Sequence, residues 1–358
     1  MRFGLTNVNK FLIGEQRNNP AIAGDFSMLI SDVVRSCKAI SQNVSLGRLS
    51  LRKDDGANIA PQDGTTSTLK EMANQVFLHH CEWGGHLAAI SSAEMNDIYT
   101  PDMDGRRGNY LLLFDALDGS SNIDINLSVG SIFSVLRCPR HDGEASAEDF
   151  LQPGTQQVAA GYALYGASTI LVLTIGTGTH GFTLDREIGE FLLTHPNLRI
   201  PEETHNFSIN ASKERFWEPP IRRYVEECLA GQTGVRAKDF NMRWAATMVA
   251  DVHRILMRGG VFLYPRDTRE AGTPGRTDLL HKANPMAMLV EQAGGMASTG
   301  HERISTIVPL ALHQRTPIIL GSRAEIERIE RYHAEHVNGE DRPFSSPLFS
   351  TRSLFRTN

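Results

Sequence analysis

The sequence predicts a mixed α/β protein in which helical segments at both ends of the chain enclose a central run of strands. The chain has 358 residues, of which 41% are hydrophobic and 22% are charged, the balance of a globular protein with a sizeable core. Apolar residues recur at helical spacing near the start, alternate in the middle, and return to helical spacing after about residue 205. These changes of period indicate an α/β or α+β architecture.

The first half begins with helices and continues as strands. Residues 26–44 and 69–77 each place their apolar side chains on one helical face. Strands are predicted next at residues 110–115, 129–137, 158–165, 169–175, 181–184 and 189–193. Short turns that contain glycine separate the later strands, and this pattern favours an antiparallel meander.

The second half returns to helices, with few strands. Helices are predicted at 219–230 and 243–258, from Asn284 onward, and at 324–336, with a strand at 261–264. We place a domain boundary near residue 200, which gives an N-terminal domain of residues 1–200 and a C-terminal domain of residues 201–337. Residues 338–358 have no apolar periodicity, and we expect this tail to be disordered and outside the folded core.

Composition and charge exclude several classes of protein. The 36 basic and 41 acidic side chains leave a net charge of −5, which argues against a nucleic-acid partner. No apolar run approaches the ~18 residues of a membrane span, and the start of the chain has no apolar signal core. The four cysteines form no Cys-x-x-Cys pair, so neither a disulfide framework nor a zinc ribbon is expected. A cytoplasmic globular protein without a membrane partner is predicted.

The most informative segment is residues 114–124, Phe-Asp-Ala-Leu-Asp-Gly-Ser-Ser-Asn-Ile-Asp. A predicted strand ends there in two carboxylates, Asp115 and Asp118, and strand ends of α/β proteins commonly face a ligand-binding crevice. Two close carboxylates are costly to bury together unless a cation neutralises them, which favours a divalent metal. Gly119 and the backbone N–H groups after it are suited to holding a phosphate.

A second glycine-rich segment, residues 176–181, fits the pattern Gly-x-Gly-x-x-Gly after a strand. A dinucleotide site would require a helix to begin at this point. Residues 182–184 alternate instead, so a hairpin turn is predicted.

Segment 114–124 resembles the metal- and phosphate-binding signature of the class I fructose-1,6-bisphosphatase family, usually FDPLDGSSNID, with Ala116 in place of proline. Further blocks resemble the same family in the same order, at residues 82–85, 159–166, 248–254, 262–265, 284–287 and 293–297. The resemblance implies a layered α/β/α/β sugar-phosphatase fold, of the type shared with inositol monophosphatase, and a homotetramer. It also implies Mg²⁺-dependent hydrolysis of the 1-phosphate of fructose 1,6-bisphosphate to fructose 6-phosphate, a step of carbohydrate metabolism such as gluconeogenesis.

Taken residue by residue, the resemblance implies part of a catalytic centre. Asp115, Asp118 and the carbonyl of Leu117 match ligands of Mg²⁺, and Glu94 matches an acid associated with activating water. Mg²⁺ ions in such a centre clamp the attacking and leaving oxygens.

Three acids of the family pattern are replaced here, by Lys70, Ala93 and Lys282. Each lysine changes the local charge by two units, and unit charges 4 Å apart interact by roughly 4 kcal/mol at an effective dielectric near 20. A lysine beside Asp115 or Asp118 would therefore compete with a metal for the same oxygens. The sequence predicts a crippled metal centre with low Mg²⁺ affinity.

The sugar-binding side of the family pattern is better kept. The substrate-binding positions that the resemblance implies are Asp118, Gly119, Ser120, Ser121, Asn210, Arg243, Tyr264 and Arg276. In the family, the residue at the position of Arg243 reaches into the site of a neighbouring subunit. Lys213 and Trp244 stand where phosphate-binding tyrosines are usual, and the lysine adds a compensating positive charge.

Three functions stay open from the sequence. The first is a fructose-1,6-bisphosphatase weakened by Lys70, Ala93 and Lys282, and the second is a sedoheptulose-1,7-bisphosphatase, because sequence does not fix the length of the sugar. The third is a catalytically dead pseudoenzyme that binds sugar phosphate or joins tetramers of an active paralogue.

Overall fold

Three sheets, of seven, five and two strands, and three groups of helices form the part of the chain that the computed structural model describes, residues 5–17, 24–51, 65–101, 108–139, 143–269, 272 and 274–340. The helices are α1 (Val8–Gln16), α2 (Asp25–Leu46), α3 (Thr65–Cys81), α4 (Pro219–Leu229), α5 (Met248–Arg258), α6 (Asn284–Gln292) and α7 (Arg323–Val337). The strands are β1 (Leu87–Ser92), β2 (Tyr110–Asp118), β3 (Val129–Arg137), β4 (Gln157–Tyr165), β5 (Thr169–Thr174), β6 (Thr179–Asp185), β7 (Glu190–Leu198), β8 (Asn206–Ile209), β9 (Asn241–Met242), β10 (Val261–Tyr264), β11 (Thr277–Asp278), β12 (Met296–Ser298), β13 (Arg315–Thr316) and β14 (Ile318–Gly321).

The largest sheet contains β1 to β7 in chain order. Strand β1 pairs with β2 in parallel, and every later neighbour is antiparallel, so the predicted meander is confirmed. Strand β2 is buried along its whole length, because the sheet is covered on both faces. Its carboxyl end, with Asp115 and Asp118, therefore lies inside the protein.

One face of this sheet packs against α1, α2 and α3. Phe26 and Ile30 of α2 and Phe77 of α3 are fully buried in one cluster with Phe114 and Phe133 of the sheet. The rings of Phe77 and Phe114 stack with centroids 4.5 Å apart, which anchors α3 directly over the end of β2.

The other face packs against α5 and α6, which also cover the second sheet. That sheet has the order β12-β14-β10-β8-β9. Val249 of α5 and Met286 of α6 share a buried cluster with Tyr162 of the first sheet and with Phe262 and Leu320 of the second. Helices α4 and α7 cover the outer face of the second sheet. The layers thus run helix, sheet, helix, sheet and helix, which confirms the predicted alternation of helices and sheets and adds a fifth, helical layer to the α/β/α/β order.

The structure differs from the sequence prediction in three places near the site. Strand β1 was not predicted, although it carries Ser91 and Ser92. Helix α5 begins at Met248 rather than at 243, because Thr247 has an extended backbone. A π-helical turn, Leu279–Ala283, precedes α6, and Asp278 rather than Asn284 caps it by accepting a hydrogen bond from the His281 N–H.

Other predictions can be compared directly. The glycine-rich segment 176–181 joins the antiparallel strands β5 and β6, so the hairpin is confirmed. All four cysteines are buried and free. In the described portion of the chain, no helix combines the length and the apolar character that crossing a bilayer requires. Residues 341–358 of the predicted tail lie outside the described residues.

Candidate active site

Parallel pairing of β1 and β2 brings the acidic residues of two segments to one edge of the sheet. Ser92 is the register partner of Phe114, and the Ala93 N–H donates to the Phe114 carbonyl at 2.9 Å. Glu94 follows Ser92 by two residues, and Asp115 follows Phe114 directly. Because the carboxyl ends of parallel strands face the same crevice, Glu94 and Asp115 belong to one site.

Lys282 neutralises the two aspartates of β2. Its Nζ lies 2.6 Å from Asp115 Oδ2 and 2.9 Å from Asp118 Oδ1. The pairing of β2 with β3 is irregular between Asp115 and Asp118, and both carboxylates lie within reach of one ammonium group. Asp115 and Asp118 are 1% and 6% exposed, so this is a buried ion triplet rather than a surface contact.

The second oxygen of Asp118 is held by the start of α5. Asp118 Oδ2 accepts hydrogen bonds from Thr247 Oγ1 at 2.8 Å and from the Val249 N–H at 3.2 Å. Burial alone would raise the pKa of Asp118, but Lys282, Thr247 and the Val249 N–H together lower that pKa below its ordinary value. Asp118 is therefore an ionised carboxylate with both oxygens engaged.

Gly119 allows the chain to turn at this point. Its φ is +72°, in the left-handed region, and a Cβ there would lie 2.6 Å from Thr247 Cβ. Only glycine meets both conditions without strain. Ser120 and Ser121 follow in a short 3₁₀ turn, Ser120–Asn122, with Ser121 exposed.

The π-helical turn before α6 presents Lys282 to the aspartates. A π turn inserts an extra residue into a helix and often marks a functional position. Desolvation would lower the pKa of Lys282, but Asp118 and Asp115 raise it well above its ordinary value. The ammonium group is therefore a permanent positive charge in this site.

A second lysine engages the acid of the other segment. Lys70 Nζ lies 2.6 Å from Glu94 Oε1. Asn74, one helical turn after Lys70, accepts a hydrogen bond from Ser92 Oγ, which fixes this face of α3 against the end of β1. Glu94 is therefore already paired with a cation. Asp115, Asp118 and Glu94 together with Lys70 and Lys282 are called the carboxylate centre below.

The carboxylate centre does not fit the Mg²⁺ cluster that the resemblance implies. Mg²⁺ requires free carboxylate oxygens in a nearly octahedral arrangement. Lys282 contacts one oxygen of each aspartate, Thr247 and Val249 hold the other oxygen of Asp118, and Lys70 contacts Glu94. A divalent ion would have to displace an ammonium group from a buried pair, so the centre is neutralised by its own side chains.

A separate open cleft lies beside β8 and β10. Its lining residues are Ile209, Asn210, Lys213, Phe216, Trp217, Leu263, Tyr264, Pro265, Arg266, Asp267 and Arg276. Three of these are cationic and one is anionic, so the cleft, called the basic pocket below, favours an anionic ligand. It collects three predicted binding residues, Asn210, Tyr264 and Arg276, together with Lys213.

Asp267 organises the cations at the mouth of the basic pocket. Its Oδ2 lies 2.5 Å from Arg269 Nη2 and 3.5 Å from Arg276 Nη2. Hydrogen bonds from Arg269 and the charge of Arg276 lower the pKa of Asp267 to about 2. Asn210 is turned toward its own chain, because Oδ1 accepts hydrogen bonds from the Ser212 N–H at 3.2 Å and from Ser212 Oγ at 2.6 Å.

An aromatic stack supports Tyr264, and Arg243 lies apart from the pocket lining. Trp244, Phe262 and Tyr264 stack in sequence with centroids 6.0 and 6.3 Å apart. Arg243 is exposed and is not among the residues that line the basic pocket. Its backbone N–H donates to the Phe207 carbonyl at 2.8 Å, which places it at the edge of the second sheet.

Sequence reasoning missed several residues that shape both regions. Thr247 is 129 positions from its partner Asp118, so no local spacing reveals the contact. Asp267 and Arg266 had a weak signal, a charged run directly after the aromatic strand Val261–Tyr264. Strand β1 was missed because six buried residues, Leu-Ala-Ala-Ile-Ser-Ser, show no alternation.

Known families and proteins match this chain over almost its whole length. A family model described as fructose-1-6-bisphosphatase, N-terminal domain, matches residues 6–196, and the corresponding C-terminal domain matches residues 200–334. A relative from Hydrogenophilus thermoluteolus, named fructose-1,6-bisphosphatase class 1, is 55% identical over 98% of this chain and 97% of its own length. A relative of the same name from Methylacidiphilum infernorum is 53% identical over 99% of both chains.

A solved structure matches the fold closely. The crystal structure of Leishmania major fructose-1,6-bisphosphatase in holo form superposes with a TM-score of 0.82 at 37% sequence identity. The match covers 92% of this chain and 99% of that one.

Proposed function

Because the chain belongs to the class I fructose-1,6-bisphosphatase family, we propose that it binds fructose 1,6-bisphosphate and hydrolyses its 1-phosphate slowly to fructose 6-phosphate. The low rate rests on a single observation, the contacts of Lys282 Nζ with Asp115 at 2.6 Å and with Asp118 at 2.9 Å. An ammonium group in that position contacts one oxygen of each aspartate and repels a divalent ion from the same site. The protein is thus a weakened phosphatase with a working sugar-phosphate site.

The two regions have different tasks in this proposal. The basic pocket holds the 6-phosphate through Asn210, Tyr264 and Lys213, with Arg276 beside both the sugar and the phosphate. The turn that contains Gly119, Ser120 and Ser121 faces the 1-phosphate. Asp115, Asp118, the Leu117 carbonyl and Glu94 are the groups that would receive Mg²⁺, and the ammonium groups of Lys70 and Lys282 oppose this.

A second candidate function is supported by the other ion pair. Lys70 contacts Glu94 at 2.6 Å, and Glu94 is the acid to which the resemblance assigns the activation of water. The Lys70 ammonium group occupies the Glu94 oxygen that would otherwise contact the water. The protein would then bind sugar phosphate without turnover, as a regulatory or structural subunit.

Assembly and location belong to the same proposal. We expect a homotetramer in the cytoplasm, with Arg243 reaching a neighbouring subunit, or a mixed tetramer with an active paralogue. Sedimentation equilibrium of the purified chain, alone and with a co-expressed paralogue, measures the assembly state directly.

The experiment that tests the function is phosphate release from fructose 1,6-bisphosphate, with and without millimolar Mg²⁺. Asp118→Asn is the matched control, because it removes one charge and keeps the shape. We expect slow release that requires both Mg²⁺ and Asp118. Release as fast as that of a relative with an intact acid set would contradict the weakening, and no release above the D118N control would favour the binding subunit.

Substrate range and ligand binding are measured in parallel. Sedoheptulose 1,7-bisphosphate is compared in the same assay, because the longer sugar tests the room in the basic pocket. Calorimetric titration of fructose 6-phosphate is independent of turnover. If fructose 6-phosphate did not bind, both candidate functions would be wrong.

A further inference from the structure

Three side chains from two segments, residues 278–281 and His313, meet near the carboxylate centre. Asp278 ends β11, His281 lies in the π-helical turn, and His313 precedes β13. His281 Nδ1 is 2.9 Å from Asp278 Oδ1, and His313 Nδ1 is 3.4 Å from Asp278 Oδ2. One ligand atom from each residue lies within 4.8 Å of the other two.

The outer nitrogens of both imidazoles are already committed to hydrogen bonds. His313 Nε2 lies 2.8 Å from the Met95 carbonyl, and a carbonyl only accepts, so this nitrogen carries the hydrogen. His281 Nε2 lies 2.8 Å from Ser91 Oγ. Metal-binding histidines commonly have such a partner on the nitrogen that faces away from the ion, because the hydrogen bond fixes the ring.

The two inner nitrogens, Nδ1 of each ring, differ: His281 Nδ1 can donate to Asp278 while Ser91 Oγ donates to Nε2, whereas His313 Nδ1 needs a positive charge between it and the carboxylate. A neutral His313 with its hydrogen on Nε2 directs the lone pair of Nδ1 at Asp278 Oδ2, and two lone pairs repel. Either a second proton on His313 or a metal ion relieves this contact. A metal ion fits this geometry better than a proton does, since His281 and His313 both direct Nδ1 at the carboxylate of Asp278.

Ser91, His281 and Asp278 also have the order of a nucleophilic triad, but burial excludes that chemistry. Ser91 is 1% exposed and His281 is fully buried, so no substrate reaches the hydroxyl. A nucleophile must lie within reach of the bond that it attacks. Ser91 instead orients the His281 ring.

We propose that Asp278, His281 and His313 form a binding site for a divalent transition-metal ion, with Zn²⁺ as the preferred ion. Two imidazoles and one carboxylate are a common zinc ligand set with room for a water in the fourth position. Donor atoms of a tetrahedral zinc site lie about 3.4 Å apart. Here the two histidine nitrogens lie 2.9 and 3.4 Å from the Asp278 oxygens, and one ligand atom from each of the three residues lies within 4.8 Å of the others, so a small closure would complete the site. The His313 side chain is 31% exposed, which gives the ion and its water a path from solvent.

The ion would join segments that frame the carboxylate centre. His281 precedes Lys282 in the π-helical turn, and Met95 follows Glu94. Zn²⁺ at this position would hold the turn that presents Lys282 and, through His313 and the Met95 carbonyl, the segment that carries Glu94. The role is structural and does not depend on the proposed function.

The test is metal content after chelator treatment, Zn²⁺ loading and desalting, measured by mass spectrometry on the full chain. His313→Gln and Asp278→Asn each remove a ligand and keep a polar side chain, and Asp118→Asn is the matched control for the carboxylate centre. We expect one Zn²⁺ per chain in the parent and in D118N, and none in H313Q or D278N. Circular dichroism establishes that each variant is folded.

Cobalt substitution gives a second readout, and thermal unfolding gives a third. Co²⁺ in the parent should show the visible absorption of a tetrahedral site with nitrogen ligands, and H313Q should lose it. Zn²⁺ should raise the melting temperature of the parent and of D118N only. The proposal is overturned if the parent retains no zinc after desalting, or if zinc is lost in D118N and kept in H313Q.

Discussion

The carboxylate centre and the basic pocket differ in whether their charged side chains are neutralised by neighbouring side chains. In the carboxylate centre, each cation is engaged by a buried or half-buried acid, with Lys282 on Asp115 and Asp118 and Lys70 on Glu94. In the basic pocket, Lys213, Arg266 and Arg276 face a cleft that holds a single acid, Asp267. The carboxylate centre has its charges balanced by its own side chains, whereas the basic pocket has excess positive charge that favours an anionic ligand.

This difference separates binding from catalysis. A phosphate held at the basic pocket contributes to affinity whether or not the reaction proceeds, because the contacts are the same in the ground state and the transition state. Hydrolysis needs charge stabilisation that develops with the reaction, and the carboxylate centre has its oxygens engaged. A chain of this family can therefore have a low rate of phosphate hydrolysis and still bind its sugar-phosphate ligand.

Restoring the missing acids should produce the largest effect. The variant Lys70→Asp, Ala93→Glu, Lys282→Glu is expected to raise Mg²⁺-dependent phosphate release by roughly 10²–10⁴-fold, or about 3–5 kcal/mol of transition-state stabilisation. Single restorations should do little, because groups that act as one unit are non-additive. The same triple variant with Asp118→Asn is the control and should stay at the parental rate.

Removing the charge of Lys282 should destabilise the parent protein. Lys282→Met keeps the length of the side chain and leaves two buried aspartates without their cation, at a cost of about 3–5 kcal/mol in the free energy of unfolding. Lys70→Met is the matched control, because the pair with Glu94 is more exposed and should cost less than about 1 kcal/mol. Urea unfolding of both variants makes the comparison, and equal losses would show that Lys282 is not the buried partner described here.

The basic pocket should lose affinity when a cation is removed. Arg276→Gln is expected to weaken fructose 6-phosphate binding by about 10–100-fold, since a hydrogen bond to a charged group contributes about 1.5–3 kcal/mol. Arg331→Gln, on the exposed face of α7, is the control and should bind as the parent does. Asp267→Asn should strengthen binding modestly, because it releases Arg276. Calorimetry measures all three, and an unchanged Arg276 variant would place the phosphate elsewhere.

The scaffold between the two regions should have its own pH dependence. His253 of α5 lies 3.0 Å from the Tyr162 hydroxyl through Nδ1, and burial lowers its pKa to about 4. The unfolded state binds a proton at His253 more readily than the folded state does. The free energy of unfolding is therefore at its full value above about pH 6.5 and falls as the pH drops toward 4. Between about pH 7 and pH 5, the free energy of unfolding should fall by about 2 kcal/mol because of His253. His253→Gln should flatten this dependence in urea unfolding, and exposed His79→Gln should not.

Local patterns in the sequence predicted the scaffold well. Amphipathic spacing located α2, α3, α4 and α7, and alternation with glycine turns located the strands of the meander. Strand β1 was not predicted because a strand buried on both faces has no alternation of apolar and polar residues. The start of α5 was misplaced because Trp244 and the alanines after it continue the apolar pattern, although Ala246 has a positive φ and Thr247 is extended.

Long-range contacts set the limit of prediction in the candidate site. The presence of lysines at acid positions of the family pattern was enough to indicate that a lysine would oppose a metal. It did not reveal that Lys282 bridges Asp115 and Asp118, because a π turn not visible in the sequence presents it. The meeting of Asp278 and His281 with His313 likewise depends on the pairing of β11 with β13.

The most direct test of the central claim is the titration of Mg²⁺ into the metal-free protein by calorimetry, for the parent and for Lys282→Glu. The bridging of Asp115 and Asp118 by the Lys282 ammonium group predicts only weak Mg²⁺ binding by the parent, without saturation at millimolar concentration. Saturable binding is expected once Lys282 is replaced by an acid. Equal affinity in the two proteins would contradict this prediction, since Mg²⁺ would then bind regardless of the charge at position 282.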